Sequence, residues 1–498
     1  MAGSNVLCRF LGFVFRIPLA NWIGAEGMGY YGFAHQILHV VSAVTFAGLS
    51  PALVQLTAAA PVDLRRSVLR SARGLFTALG LIATLVLLLF GGMFCRLAGS
   101  EASRYALWVL APTALLSAWE AADRSYFQGC GALKVPAAAQ LADSLCKLVS
   151  GTAAAVWLHR QAYPTYIVAA GAIFGVTFGT LISTLVLMRG VRRECVPRKF
   201  RVPVRLARET RRKLLRTAAP LAFGAVMLSV TGSLEASVIV SRLQSLGLSP
   251  AEAARSYGAY TGIAQTVYSL PFAITSAICT AVIPAVAHGG LSDPKNRAFL
   301  HTAFRLTGVV VWFAAALFAV FPHELLSLLF SRGDDVAIAA PLLRILAAAT
   351  VLSAICSLLA AALHAVGSMK LPLAAMALGS GVRILTAAVL IGRPEFAVGG
   401  AAVGTVVCFA IAAAVNGIAL AGKWKYVPPF LPGICKPAAC ALISVAGGKA
   451  FAAACAVGSA RVQTLLALAT AALLYLLLLA VTKTVRKEDG KNLRKSVF

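Results

Sequence analysis

The sequence predicts an all-α membrane protein that crosses the bilayer about fourteen times, from its composition, its apolar runs and the charge between them. Of its 498 residues, 59% are hydrophobic and 12% charged, with a mean hydropathy of +0.84. That is more apolar surface than one soluble core can bury. Runs long enough to cross a bilayer, about 20 residues each, lie near 2–23, 29–58, 74–98, 104–127, 134–158, 165–188 and 215–241. A second set lies near 256–287, 299–321, 337–364, 370–392, 397–421, 431–455 and 461–482.

Charge tests the order of these runs. With the N-terminus cytoplasmic, every second connection is basic, as the positive-inside rule requires. These connections hold Arg65, Arg66, Arg70 and Arg73, then Lys134, then twelve basic residues from Arg189 to Arg216 against Glu194 and Glu209. Lys295 and Arg297, Lys370, and Lys423 and Lys425 follow, and the tail carries Lys483, Arg486, Lys487, Lys491, Arg494 and Lys495. The intervening connections hold isolated charges or acids: Glu26, Glu101, Asp334, Asp335 and Glu395. Both termini are therefore expected in the cytoplasm. The formal net charge of +28 needs no nucleic acid, because basic loops at the inner face bind anionic membrane lipids. Eleven cysteines are scattered singly, with neither a Cys-x-x-Cys pair nor a metal-ligand spacing. No stretch is long and polar enough to be a soluble catalytic domain, and no cleavable signal peptide is expected.

The chain repeats itself. Arg16, Ala25, Glu26, Tyr31 and Gly32 fall without a gap on Arg242, Ala251, Glu252, Tyr257 and Gly258. Gly131, Lys134 and Pro136 fall on Gly367, Lys370 and Pro372, followed by Ala138 and Ala139 on Ala374 and Ala375, Ser144 on Ser380 and Lys147 on Arg383. Six spans are thus duplicated in one orientation, as in parallel repeats. The division expected is a six-helix lobe over 1–188, a basic cytoplasmic linker over 189–216, a second lobe over 217–421, and two further spans with a basic tail over 422–498.

Charged residues inside apolar helices cost about 2.5–3.5 kcal/mol each to insert and mark functional sites by default. Arg9 and Arg16 stand seven apart on one face of the first span, where they either capture a diphosphate or snorkel to the two surfaces. Glu235 and Arg242 hold the matching places in the second copy. Glu235 is expected to gate, to couple transport to a cation, or to lock the lobes together. Asp143 and Lys147 form an i, i+4 pair that either neutralises itself or faces a cavity. Asp143 is replaced by Gly379 in the second copy, so Arg383 lacks this local counter-ion and is the stronger candidate. His35 and His39, four apart, suit zinc only with a third ligand, and none is evident, so no metal or cofactor is expected. Glu120, Asp123 and Arg124 are expected to form a salt-bridged boundary at the inner end of span four.

Arg9-x-Leu-Gly-Phe-x-x-Arg16-Ile-Pro-Leu-Ala, Gly24-Ala-Glu-Gly-x-Gly-x-Tyr31, Gly48-Leu-Ser-Pro-Ala52, Leu270-Pro-Phe and Ile283-Pro-Ala resemble the polysaccharide-biosynthesis and stage V sporulation protein B-like membrane proteins. These belong to the multidrug/oligosaccharidyl-lipid/polysaccharide exporter superfamily, which includes the lipid II flippases. The resemblance implies two six-helix lobes in a V, a central cavity open to one side at a time, and outward transport of undecaprenyl-diphosphate-linked saccharides or peptidoglycan precursors across a bacterial plasma membrane. Cell-wall synthesis enzymes are the further partners it implies. It also implies about ten more residues ahead of Arg9, and the likeness to the lipid II flippases implies further basic cavity residues in spans two and eight, where Ala264-Gln-Thr-Val-Tyr-Ser-Leu-Pro271 has no arginine. The alternatives are a multidrug or cation antiporter of the same superfamily, which would want an acidic cavity, and a membrane glycosyltransferase or a cell-wall scaffold. A glycosyltransferase would need convergent carboxylates, whereas Glu26, Glu101 and Glu252 stand apart in sequence.

Overall fold

The computed structural model describes residues 2–97, 99–193, 204–287, 290–429, 431–454, 460–482 and 484. Residues 194–203 of the basic stretch and the tail charges from Lys483 onward lie outside the described residues, as does the side chain of Arg9. The chain packs as two compact units, 3–262 and 263–498. All described regular structure is helical.

The first unit runs α1 (Ala2–Ser42), α2 (Leu49–Ala59), α3 (Val62–Leu97), α4 (Ser103–Gly129), α5 (Lys134–Cys146), α6 (Thr152–Arg160), α7 (Thr165–Arg193), α8 (Val204–Ser245) and α9 (Pro250–Gly258). Single π turns at Ala43–Ala47 and Lys147–Gly151 join α1 to α2 and α5 to α6 without a loop, and a third follows α9 at Ala259–Ala264. The basic stretch is helical from Val204 onward and continues into α8. Gly24 breaks α1 with φ 71° and ψ 179°, a conformation essentially reserved for glycine. This one residue makes the turn expected between the first two apolar runs. In the second copy the turn is longer, with Gly247 at φ +91° and Ser249 capping α9.

The second unit runs α10 (Gln265–Tyr268), α11 (Leu270–Ala287), α12 (Pro294–Val320), α13 (Pro322–Leu329), α14 (Gly333–Ala365), α15 (Lys370–Ile391), α16 (Gly399–Trp424), α17 (Lys436–Ala454) and α18 (Ala460–Val481). The last two helices pack on each other and on α12 through Phe313, Ala441, Val445 and Tyr475. The Tyr475 hydroxyl donates to the Val309 carbonyl at 2.7 Å.

Twelve helical stretches among the described residues are long and apolar enough to cross a membrane. The first, Gly12–Ala59, holds 48 residues, about 72 Å of helix and more than twice a hydrocarbon core. Helix α4, also of membrane length at 27 residues, carries Arg104, Glu120, Asp123 and Arg124. Leu89, Leu385, Leu473 and Leu476 are each more than 60% exposed, which suits lipid and not water.

The connections of the first unit gather at two ends. At one end α2, α4 and α7 close on one another: Gly129 lies against Thr57, and Gly190 against Val135 and Phe127. At the other, the Gln244 amide donates to the Gly99 carbonyl at 2.6 Å, and the Trp22 and His159 rings meet edge-on at 5.8 Å. The arginines of the 59–73 stretch and of the α7 terminus share the first end. The second unit repeats the pattern, with Arg297 donating to the Leu291 and Trp424 carbonyls.

Candidate functional site

The polar groups within the first unit converge on α1, α4, α5 and α7. Arg16 is exposed on α1, and Arg16 and Lys147 both lie within electrostatic reach of His35 and His39. Tyr31 lies within reach of Arg16 and of Asp143. The His35 and His39 rings stack at 4.7 Å. Among the described residues no group of three metal-ligating side chains forms.

Lys147 donates to Asp143 Oδ2 at 2.7 Å, with the side chains 27% and 14% exposed. Lys147 opens the π turn, and such bulges inside α-helices recur at functional sites. Close approach of α7 holds this turn in place. A Cβ on Gly175 would stand 2.3 Å from the Gly151 Cα, and one on Gly179 2.6 Å from the Lys147 Cγ. The ring of Phe15, next to Arg16, also lies against Gly151. The glycines at 171, 175 and 179 are thus a small-residue stripe of the kind that lets membrane helices approach closely.

Beside this set Arg124 pairs with Glu120, and Ser183 donates to Glu120 Oε1 at 2.9 Å. Arg73 grips the fully buried Asp123 through two hydrogen bonds of 2.8 and 2.6 Å. Glu120, Asp123 and Arg124 are therefore ion-paired, and Arg73 of α3 is the partner that sequence reasoning missed. Glu26 and Glu252 take local positions. Glu26 accepts from the Tyr30 hydroxyl at 3.1 Å, and Glu252 closes a capping box with Ser249. The Ser249 hydrogen bonds hold the Glu252 carboxyl below its ordinary range.

Glu235 sits buried on α8 and Arg242 is exposed two turns further along. A Cβ on Gly232 would reach the Gln36 amide of α1, which puts α8 beside the helix that carries His35 and His39. Arg383 lies half-buried on α15 in the second unit. Its carbonyl is 2.9 Å from where a Cβ on Gly404 would stand, as the Lys147 carbonyl is 3.1 Å from one on Gly175. Arg383 and Lys147 are equivalent in space as in sequence. The glycine stripes at 171, 175 and 179 and at 400 and 404 would have extended the repeat to α7 and α16 from sequence alone.

Twelve described helical stretches of membrane-crossing length and composition, with ion pairs among their side chains, define a polytopic α-helical membrane protein. The chain belongs to the polysaccharide biosynthesis protein family, whose model matches residues 1–289, and the MatE family model matches residues 222–389. Stage V sporulation protein B of Bacillus subtilis (strain 168) is 25% identical over 341 residues, 66% of this chain and 65% of the relative. The chain thus spans just under two thirds of the length of that curated relative. Among solved structures, lipid II flippase MurJ in an inward closed conformation matches 96% of this chain and 97% of its own, with a TM-score of 0.77 at 15% identity. An inward-facing multidrug resistance MATE family transporter of the MOP superfamily matches 84% and 96%, with a TM-score of 0.62 at 16% identity. At these identities the likeness is one of fold.

Proposed function

We propose that the protein moves a polyprenyl-diphosphate-linked saccharide, such as an undecaprenyl-linked glycan unit or a lipid II-like peptidoglycan precursor, outward across a bacterial plasma membrane by alternating access. The observation that carries this reading is the cationic set of Arg16 and Lys147 around His35 and His39, inside helices of membrane length. Asp143 pairs with Lys147. Cations at membrane depth demand water or an anion, and a diphosphate meets guanidinium groups through bidentate, charge-assisted hydrogen bonds. Arg9, Arg16, Lys147, Arg242 and Arg383 are the substrate contacts in this reading. Glu235 and Asp143 serve gating or coupling, and no cofactor or metal takes part.

The topology that goes with it has fourteen crossings, the break at Gly24 dividing the first apolar stretch and α4 completing the count, with both termini cytoplasmic. Two six-helix lobes, 1–188 and 217–421, joined by the linker, carry the alternation, and 422–498 adds two helices. Anionic lipids contact the basic connections, and cell-wall synthesis enzymes supply or use the cargo. The MatE match over 222–389 keeps a drug or cation antiporter as the second reading, which the sign of the charge at Arg16, Lys147 and Arg383 opposes.

The test is reconstitution. A fluorescent polyprenyl-diphosphate sugar in proteoliposomes should become accessible on the far leaflet only with the protein present. Transport of organic cations with no movement of the lipid probe would overturn the reading.

A further inference from the structure

Two interrupted helices shape a groove in the first unit. Pro18 lies inside α1, where it lacks the N–H that would close a helical turn, and the π turn at Lys147–Gly151 separates α5 from α6. Between them opens a cavity of about 580 Å³, a size usual for ligand sites set between the helices of a bundle. Val149, Ala153, Val156 and Trp157 line it from α6, and Pro18 lines it from α1. Val149 and Trp157 are 68% and 61% exposed, and the small Ala153 lies one turn from each, so the wall is hollow at its middle. Large apolar side chains left open around a hollow mark a site for a hydrocarbon ligand.

The two ends of the groove carry charge. Its inner end is the π turn that Lys147 opens, and Pro18 stands two residues beyond Arg16, so this end adjoins the cations assigned to the diphosphate. Arg160 closes the other end, about 18 Å further along the helix. It is exposed and belongs to no ion pair among the described residues. In the fourteen-span topology that end reaches the outer surface. We infer that the groove holds the polyprenyl chain of the cargo and that Arg160 receives its diphosphate on the outward side. This rests on the reading of Arg16 and Lys147 as contacts to that diphosphate. An anionic head on one long chain matches an apolar bed with a cation at each end, and the head can pass from Lys147 to Arg160 while the chain keeps its bed. A phospholipid of the outer leaflet holds its phosphate at the surface, which accounts for Arg160 but not for the continuity with Lys147.

Photo-crosslinking in proteoliposomes reads the occupant directly. Trp157→p-benzoylphenylalanine places the reactive group in the groove, and the same replacement at Leu473, exposed on α18, serves as the reference for bulk lipid. A fluorescent polyprenyl-diphosphate sugar should give at least fivefold more adduct at position 157 than at 473, and adding Arg160→Ala should remove most of that excess. Fluorescent phosphatidylglycerol should label the two positions alike. Equal labelling of both positions by the polyprenyl probe would overturn the proposal, as would phosphatidylglycerol labelling at 157 that unlabelled polyprenyl diphosphate does not displace. Ala153→Trp fills the hollow from an exposed position and should slow flipping at least fivefold at an unchanged melting temperature. Parental flipping by Ala153→Trp would overturn the groove and leave the transport reading standing, whereas no flipping by the parent protein would overturn that reading and the groove with it.

Discussion

Lys147 and Asp143 meet at 2.7 Å where α5 gives way to its π turn, and the buried Asp143 Oδ1 has no hydrogen-bond partner among the described residues. One carboxylate oxygen is satisfied by Lys147 and the other faces the α7 glycine stripe. Removing Asp143 leaves a cation in a poorly solvated place, and removing Lys147 leaves an acid there, so either loss costs more than the pair contributes. Asp143→Ala and Lys147→Ala should each destabilise the protein by about 1–3 kcal/mol, while the double variant should lose less than their sum. Additive losses in thermal melts would show that the two do not act as a pair.

Arg16 and Arg383 are expected to act on the cargo and not on the fold. Arg16→Ala and Arg383→Ala should each cut flipping at least tenfold, about 1.4 kcal/mol of lost interaction, with membrane insertion unchanged. Lysine at either place should restore part of the activity, since it returns the charge but not the two-pronged geometry. Unimpaired transport with alanine at both positions would remove them from the site.

Much of this was legible in the chain. The apolar runs fix helices because each backbone polar group in lipid must be bonded within its own segment, and the register of Lys147 with Arg383 follows from the repeat. The sequence was silent where a contact spans distant residues of dissimilar type. Arg73 lies fifty residues from Asp123 in what reads as a cytoplasmic basic stretch, so topology accounts for its charge and hides its partner. The π turn at Lys147–Gly151 leaves no composition signal, being a local response to packing against Gly175.

The Arg73–Asp123 pair makes a sharper stability prediction. Asp123 is fully buried and Arg73 is about a third exposed, so the arginine keeps some water while the carboxylate has none. Arg73→Ala should therefore cost about 3 kcal/mol, the low end for breaking a buried pair. Arg73→Lys should recover only part, because two bonds become one. Blue-native gels and thermal melts read the outcome, and a neutral Arg73→Ala would mean that water reaches Asp123.

The repeats touch where α9 crosses α1. A Cβ on Gly258 would lie 1.7 Å from the Ala25 carbonyl, and one on Gly29 would lie 2.0 Å from that of Ala254. Gly258→Ala should force these backbones apart at a cost of about 1–3 kcal/mol and slow transport by disfavouring the state in which they meet. A melting temperature and flipping rate equal to the parent protein's would show that the crossing opens freely.

The last prediction concerns energy. A diphosphate head group leaving an inside-negative cell moves down the electrical gradient, and about two negative charges gain roughly 4–5 kcal/mol per 100 mV. The empty carrier has the opposite bias, since its basic residues are drawn toward the negative side. One potential can then drive both the loaded and the empty step, with no obligatory sodium or proton site. The candidate cation sites for the alternative are Glu235, buried on α8, and Asp143, already paired with Lys147. In proteoliposomes at constant pH without sodium, flipping should rise with an imposed potassium-diffusion potential and stall when that potential is collapsed. A strict need for a sodium or pH gradient at fixed potential, abolished by Glu235→Gln, would instead make Glu235 the coupling site.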